Sequence, residues 1–333
     1  MITIFFLEYS KNFNGNDLNS EKIAGSEKTL INISNEIAKN KNIKVKVFNN
    51  AKDQININDV EWCNIKNILN FKKPDFLISM SDINLFPNYK CKKYLWSHSV
   101  QTIEKFIRKG QLIPFLKHKP KIILEGDYHY KNRSWMTSCF GKDILKISAD
   151  DDFINTTIDV HNIPKNNVIF NTRPDRNLKV VLEAWKTIKK KVNNAILYIN
   201  PPYELTKEEI NLDIRIRHKG SKFDLIEDLK NSKLMLNPGH KGEVFCLVAE
   251  EARTMCLPIV TMGIGSLNER VIDNVTGYIC SDLDQLISKS VSILKDDKLY
   301  LTLKSNLYEK RKTRTYKEVV YDFLKILNIN EKN

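Results

Sequence analysis

The chain has 333 residues, which favours two domains because a single domain usually contains about 100 to 200 residues. Hydrophobic residues make up 42% and charged residues 28% of the sequence, so a disordered or fibrous protein is excluded. The net charge of +13 leaves nucleic acid, an anionic membrane surface, anionic substrates and a general excess of lysine as open explanations.

Strand-like and helix-like segments alternate from the start of the chain, which predicts a parallel sheet covered by helices. Residues 2–7 are apolar, but the run ends at Glu8 and has no basic residues before it. It therefore predicts a buried strand rather than a signal peptide. The periodicity further predicts a helix at 27–39 and strands at 45–48, 75–79, 93–96 and 121–125. We expect these elements to form a first domain at residues 1–150.

A second alternating block begins near residue 167 and predicts a second α/β domain at 167–312. Residues 151–166 are rich in Asp, Asn and Thr and are expected to form the linker. The predicted strands of the second block are 168–171, 195–199, 234–236 and 258–261, and its helices are 178–189, 225–230 and 248–255. A final helix is predicted at 316–327, within the C-terminal segment 313–333.

Several kinds of site are absent from the sequence. The six cysteines are scattered without a CxxC pair, which fits reduced thiols in a cytoplasm. There is no HExxH, no GxSxG and no Walker A loop. Residues 150–152 are all Asp, but their place in the predicted linker favours a solvated acidic turn over a metal site. We therefore expect no metal ligands, and a cytoplasmic protein that is at most peripheral at the inner face of the membrane.

The informative stretch of the sequence begins at Gly242. Seven residues separate Glu243 from Glu251. If a helix begins near Cys246, Glu243 lies in the loop at its N-terminus and Glu251 on its second turn, so both carboxylates face one cleft. Free N–H groups and the positive dipole end of such a helix suit a diphosphate or a sugar hydroxyl.

Ten residues of this stretch resemble the donor-site motif of the retaining GT-B glycosyltransferases, the large group that includes sucrose, mannosyl and lipopolysaccharide transferases. The matching residues are Glu243, Phe245, Leu247, Glu251, Ala252, Pro258, Ile259, Val260, Gly265 and Glu269. The resemblance implies an α/β protein of GT-B architecture, with two Rossmann-like domains facing each other across a cleft. It also implies that the C-terminal helix packs back on the N-terminal domain.

The resemblance assigns roles to these residues. Glu243 would lie near the hydroxyls of the donor sugar, and Glu251 would accept hydrogen bonds from the ribose of the nucleotide. The backbone at Phe245, Cys246 and Leu247 would lie close to sugar or phosphate. Cysteine replaces the usual glycine of the family at 246 and at 256. The change at 246 leaves open whether the bound sugar, or activity itself, is altered.

Three other places resemble functional positions of the family. Arg173 and Arg176 lie in the loop after the strand 168–171, where a basic pair neutralises the leaving diphosphate. Gly25 resembles the glycine turn that opens the first helix near the donor phosphate, with Ser26 as the expected helix cap. His98 resembles the strand-end histidine that stands beside the donor sugar.

The resemblance implies transfer of a hexose-type sugar, with retention and without metal or cofactor, from a nucleotide diphosphate sugar. The donor is expected to be UDP- or GDP-linked, and the acceptor a hydroxyl of a glycan or lipid-linked molecule. Three alternatives remain: a transferase acting on nucleic-acid bases, a non-catalytic binding protein of the same fold, and a GT-B epimerase or phosphorylase. Phe13 is the only aromatic residue of the polar loop 12–24, which disfavours base stacking and hence nucleic acid.

Overall fold

The computed structural model describes residues 1–311 and 314–329. The chain divides into two compact units. The first contains Met1–Ser148 together with the chain from Thr315, and the second is Ala149–Arg314. The predicted boundary at 312 and 313, and the last predicted residues, 330–333, lie outside the described residues.

The first unit is a seven-stranded parallel sheet with helices packed on it. Its strands are β1 (Ile2–Leu7), β2 (Ile43–Ile57), β3 (Val60–Asn64), β4 (Phe76–Met80), β5 (Lys92–Trp96), β6 (Lys121–Leu124) and β7 (Lys142–Ile144). Its helices are α1 (Gly25–Ala38), α2 (Ile103–Arg108), α3 (Leu112–His118), α4 (Asp127–Asn132) and, after the second unit, α12 (Tyr316–Ile326).

The strand order of this sheet is β3-β2-β1-β4-β5-β6-β7. The central strands β1 and β4 are mostly apolar and mostly buried because helices cover both faces of a parallel sheet. Helix α12 packs in this unit: the ring of Phe323 stacks on Phe6 with centroids 5.9 Å apart and lies 5.7 Å from Trp96. The last helix of the chain therefore completes the core of the first unit.

The second unit repeats this plan with six parallel strands. Its strands are β8 (Asn167–Phe170), β9 (Ile196–Ile199), β10 (Ile214–Ile216), β11 (Leu234–Leu236), β12 (Ile259–Thr261) and β13 (Gly277–Ile279). Its helices are α5 (Asp151–Asn155), α6 (Leu178–Lys191), α7 (Lys207–Asn211), α8 (Lys222–Lys230), α9 (Leu247–Thr254), α10 (Leu283–Lys295) and α11 (Asp297–Glu309). The strand order is β10-β9-β8-β11-β12-β13.

Two apolar cores lie on opposite faces of the second sheet. Val168 and Phe170 of β8 belong to the core formed with α6 and α10, whereas Ile169 belongs to the core formed with α8 and α9. Successive side chains of a strand point to opposite faces, so a strand covered on both sides must be apolar throughout. The short run at residues 234–236 is apolar for the same reason.

The expected linker at 151–166 is part of the second unit and begins with the short helix α5. The Asp150 side chain accepts from the N–H of Asp152 and so caps this helix. Lys222, only 2% exposed, forms ion pairs with Asp150 at 2.9 Å and with Asp152 at 2.5 Å. The prediction of a solvated acidic turn is therefore corrected, because the buried Lys222 neutralises the carboxylates of Asp150 and Asp152.

Several elements were not predicted from the sequence. They are the strands β3, β7, β10 and β13 and the helices α2, α3, α4, α5, α7, α10 and α11. Within the part of the chain that the structure describes, no helix is long and apolar enough to cross a membrane.

Helix α9 ends in a left-handed residue that is not glycine. Cys256 has φ 57°. Its N–H donates to the carbonyl of Arg253, and the N–H of Leu257 donates to the carbonyl of Ala252. This hydrogen-bond pair is the Schellman motif, in which glycine is the usual left-handed residue because it has no Cβ. The glycine that the family places here is therefore explained by backbone conformation.

We expect Cys256→Gly to be more stable than Cys256→Ala by about 1 kcal/mol, because alanine keeps the left-handed strain and glycine removes it. At the exposed helix position Lys186, the order should be reversed, with alanine about 1 kcal/mol more stable than glycine. Denaturant unfolding of the four variants measures both differences. If the alanine variant is more stable than the glycine variant at both positions, the left-handed conformation of Cys256 is contradicted.

Candidate functional site

The candidate site lies where the strand order of the second sheet reverses. Its first strand, β8, pairs with β9 on one side and with β11 on the other. Crossover connections leave this point in opposite directions, so the carboxyl ends of β8 and β11 border an open crevice, which is where ligands bind in such sheets. The loops at 171–177 and 237–246 follow these two strands and meet here.

Glu243 bridges the two loops. Its Oε1 accepts from the hydroxyl of Thr172 at 3.1 Å, whereas Oε2 is buried without a hydrogen bond. Burial raises the pKa of Glu243, and the opposing effects of Thr172 and Arg176 do not cancel the rise. The loop thus holds a carboxylate with spare acceptor capacity in a poorly solvated place.

The second contact between the loops joins Arg176 to His240. Arg176 Nη1 donates to His240 Nδ1 at 2.5 Å, and the N–H of Gly242 donates to the same nitrogen at 3.0 Å. Burial, together with the charge of Arg176, lowers the pKa of His240, so the ring stays neutral. A Cβ at Gly242 would stand 2.5 Å from Arg176 Nη1, so glycine is what lets the guanidinium approach.

The two arginines of the predicted basic pair, Arg173 and Arg176, differ in burial. Arg176 is held at the crevice, with 18% of its side chain exposed. Arg173 is 65% exposed and forms an ion pair with Asp175 at 3.2 Å. Of the two arginines, Arg176 is therefore the one fixed in position for binding an anion.

Helix α9 begins at Leu247, directly after this crevice. Cys246 precedes it with φ 59°, a left-handed conformation that glycine adopts more easily. The thiol is fully buried, and burial raises its pKa. Cysteine therefore keeps the backbone turn for which the family uses glycine. The N–H of Ala249 donates to the carbonyl of Cys246, so the N–H groups of the first turn that point to a ligand are those of Leu247 and Val248.

Arg270 anchors the loop before α9 through Phe245. Its Nε donates to the carbonyl of Phe245 at 2.8 Å, and its guanidinium lies 3.9 Å from the centroid of the Phe245 ring. The carboxylate of Glu250 lies 3.5 Å from the same Nε and compensates the buried charge. Phe245 is thus a buried anchor of the loop. The other acidic residue of the predicted pair, Glu251, is buried on the second turn of α9.

The histidine predicted in the first unit belongs to a polar cluster at the ends of β5 and β6. His98 Nδ1 donates to Glu125 Oε1 at 2.6 Å, and its other ring nitrogen, Nε2, is buried without a partner. His129 fixes this arrangement: its Nδ1 accepts from the N–H of Glu125 and its Nε2 donates to the carbonyl of Ser99. Burial lowers the pKa of His129 to about 4. His98 therefore has one ring nitrogen, Nε2, that is buried and makes no hydrogen bond within the described protein.

Two expectations for the first unit are corrected. Helix α1 begins at Gly25, and the residue at its N-cap position, Ala24, has no side chain that could cap the helix. Ser26 lies inside the helix, where its hydroxyl donates to Glu27 instead of capping it. Phe13 is 1% exposed and packs edge-on against Trp62 at 5.7 Å. It is therefore part of the core and is not available to stack on a base.

Residues 159–310 match the family model described as Glycosyl transferases group 1. The chain is a glycosyltransferase. Its fold is similar to sucrose-phosphate synthase of Thermosynechococcus elongatus, with a TM-score of 0.74 at 13% identity over 98% of each chain. Anabaena HepE in complex with UDP and glucose has a TM-score of 0.74 at 13% identity, over 98% of this chain and 100% of its own. No curated protein matches the sequence.

A third solved structure is WaaG, a glycosyltransferase involved in lipopolysaccharide biosynthesis. It has a TM-score of 0.69 at 13% identity, over 99% of this chain and all of its own. These matches confirm the predicted GT-B fold of this glycosyltransferase. In residues 1–311 and 314–329, no three His, Cys, Asp or Glu side chains are grouped so that they could hold a metal ion.

Four residues of this glycosyltransferase that order the candidate site were not predicted: Thr172, His240, Arg270 and Glu125. Thr172 lies directly before Arg173 and His240 shortly before Glu243, so their place in the loops was visible in the sequence. Glu125 directly follows β6, which pairs with the strand before His98. Only Arg270, which acts on a residue 25 positions away, had no local signal.

We expect Glu243→Gln to stabilise the free glycosyltransferase by about 1 kcal/mol at pH 7, while it abolishes most of the activity. The folded pKa of this carboxyl is raised, so the charged form destabilises the fold above pH 4.5, the ordinary value for Glu, and the gain should vanish below it. Thermal unfolding at pH 7 and pH 4 tests this. Glu183→Gln, on the exposed side of α6, is the control. A less stable Glu243→Gln at pH 7 would contradict the assignment.

Proposed function

We propose that this glycosyltransferase moves a hexose-type sugar, with retention, from a UDP- or GDP-linked donor to a hydroxyl of a glycan or lipid-linked acceptor. The observation that carries the proposal is the placement of Arg176 and Glu243 on two loops that are hydrogen-bonded to each other beside the N-terminus of α9, at the switch point of the second sheet. A cation, a free acceptor and a positive helix end are what a nucleotide diphosphate sugar needs.

The diphosphate end of the donor would bind Arg176 and the first turn of α9. As the bond between sugar and phosphate breaks, negative charge grows on the leaving diphosphate, and a fixed guanidinium and helix dipole stabilise that charge. His240 keeps Arg176 in place without adding a competing charge, because its ring is neutral. The leaving phosphate would take the proton of the acceptor hydroxyl, so neither a metal nor a cofactor enters the reaction.

The sugar end of the donor would bind Glu243. Its unpaired Oε2 can accept from a sugar hydroxyl, which supplies the hydrogen bond that the free protein lacks. The buried Glu251 of α9 would accept from the ribose hydroxyls of the nucleotide. Backbone groups at Phe245, Cys246 and Leu247 would lie between these two ends of the donor.

In the first unit, His98 would accept a hydrogen bond from the donor sugar through its bare Nε2. Glu125 sets the tautomer, because a proton held on Nδ1 leaves the lone pair on Nε2. Gly25 would leave room near the donor phosphate at the start of α1.

Known glycosyltransferase complexes support this choice of substrates. Anabaena HepE has been solved with UDP-glucose, at 12% identity, a TM-score of 0.73 and coverage of 98% of this chain and 100% of its own. A UDP-linked hexose is therefore our preferred donor here. The buried position of Phe13 disfavours nucleic-acid bases as acceptors, and the left-handed turn kept by Cys246 disfavours a non-catalytic protein. The six free cysteines favour a reducing compartment, the cytoplasm.

Replacing Glu251 by Ala should weaken binding of the preferred nucleotide diphosphate by about 1.5 to 3 kcal/mol, because the ribose loses a charged acceptor. Calorimetry measures the affinity, and circular dichroism checks the fold. Glu251→Gln should have a smaller effect in the same direction, and Glu183→Ala none. Unchanged affinity in a folded Glu251→Ala protein removes this residue from the site.

Labelled UDP-glucose and GDP-mannose, each supplied with a membrane-lipid extract, a glycan pool, DNA and RNA, test the proposed reaction. We expect label in lipid or glycan, with the anomeric configuration of the donor retained, and undiminished transfer in excess EDTA. Arg176→Ala is the matched inactive control. Label in nucleic acid would overturn the proposed acceptor, inversion would overturn the proposed stereochemistry, and rescue by manganese after EDTA would overturn metal independence.

A further inference from the structure

Large apolar side chains that face solvent are concentrated in one short segment of the first unit. They are Ile107 (60% exposed), Ile113 (79%), Leu116 (54%), Trp135 (75%) and Met136 (47%). All five fall within residues 107–136, on α2, α3 and the turn after α4. We call this set the apolar tip. An exposed cluster of this kind on a water-facing surface indicates a binding surface.

The parts of the apolar tip are held together by a shared interior. Phe106 of α2 packs on Phe115 of α3 with ring centroids 5.2 Å apart, and Phe115 packs on Phe140 at 5.0 Å. The N–H of Ser134 donates to the carbonyl of Gln101 at 2.9 Å, which joins the chain before Trp135 to the start of α2. The buried rings thus face inward, and the apolar tip lies on the outer sides of the same elements.

The segment that carries the apolar tip is also rich in cations. Residues 101–146 contain ten Lys and Arg but only four Asp and Glu, of which Glu125 is buried. An excess of six in 46 residues is more than three times the density of the whole chain, which has an excess of 13 in 333. A uniform lysine bias does not explain this concentration. The exposed cations nearest in sequence to the apolar side chains are Arg108, Lys109, Lys117, Lys119 and Lys131.

We propose that the apolar tip and its cations dock this glycosyltransferase onto an anionic lipid bilayer, with Trp135 at the level of the headgroups. Tryptophan prefers this interface, aliphatic side chains enter the acyl boundary, and flanking lysines and arginines attract lipid phosphates. Nucleic acid would match the cations but not Ile113 and Leu116. A second copy of the chain would match the apolar side chains but would bring like charges together.

None of the residues of the apolar tip is assigned to the donor, so the inference goes beyond the proposed reaction. Its consequence is recruitment: an enzyme held at a bilayer meets acceptors that are themselves embedded there. The short helices α2 and α3 would lie along the interface, and no segment would need to cross it.

The chain contains its own reporter for the docked state. Of the four tryptophans, Trp62, Trp96 and Trp185 are fully buried, and only Trp135 faces solvent. Because a tryptophan exposed to water emits at longer wavelength than a buried one, the long-wavelength part of the tryptophan fluorescence comes from Trp135. Vesicles of equal parts phosphatidylcholine and phosphatidylglycerol should shift this emission to the blue, and brominated lipid should quench it. Pure phosphatidylcholine should do so at least tenfold more weakly, because each cation near an anionic surface contributes about fivefold in partitioning.

Two sets of variants separate this surface from a general attraction of a basic protein to anions. Lys109→Glu with Lys117→Glu should lower vesicle partitioning more than tenfold, whereas the matched exposed pair Lys207→Glu with Lys317→Glu should lower it far less. Ile113→Ser with Leu116→Ser should lower it several-fold, and Ile210→Ser with Phe223→Ser should not. Nucleotide binding should be unchanged in all four proteins, so failure of docking is distinct from failure of the donor site.

Three results would overturn the proposal. The first is an unchanged emission of Trp135 with anionic vesicles, and the second is equal loss of binding in the matched variants. The third is a blue shift produced by DNA or RNA, or by raising the protein concentration without lipid, while vesicles produce none. That result would assign the surface to nucleic acid or to a second copy of the chain.

Discussion

The reversal of strand order between β8 and β11 is the constraint on which the candidate donor site depends. A parallel sheet needs crossovers, and where crossovers leave in opposite directions the strand ends cannot be covered by their own helices. The two loops at this point carry Thr172 and Arg176 on one side and His240 and Glu243 on the other. Two hydrogen bonds across the gap fix these loops relative to each other at the strand ends.

Backbone conformation explains why glycine is favoured at several positions around this edge. Gly265 has φ 78°, and a Cβ there would stand 2.3 Å from the carbonyl of His240. Gly242 makes room for a guanidinium rather than for a turn. Cys246 accepts the left-handed conformation that glycine would take without strain. Glycine is therefore favoured at these positions for different physical reasons: the left-handed turn at 246 accepts a cysteine, whereas a Cβ at 242 or 265 would collide with a neighbouring group.

The long apolar strands and the amphipathic helices α1, α6 and α12 were predictable because their periodicity is local. The short strands β10 and β13 include an arginine and a glycine, respectively, so neither shows the continuous apolar run of the equally short β11. The site residues that depend on distant partners could not be predicted. Lys222 finds Asp150 across 72 positions, and Arg270 finds Phe245 across 25, because the fold and not the sequence spacing brings them together. The Glu243 to Glu251 spacing was informative since the loop that carries Glu243 leads directly into α9, which carries Glu251 on its second turn.

The two cysteines that bracket α9 have a further consequence. Both thiols are buried, and both belong to residues whose backbone is strained, one at each end of a helix of eight residues. A water-soluble alkylating reagent can reach these two thiols only when one end of the helix unfolds locally. The rate at which these thiols are modified in the native protein therefore reports local opening of the loop that carries Glu243. The alkylation of two thiols that take no part in catalysis thus measures how often this loop opens.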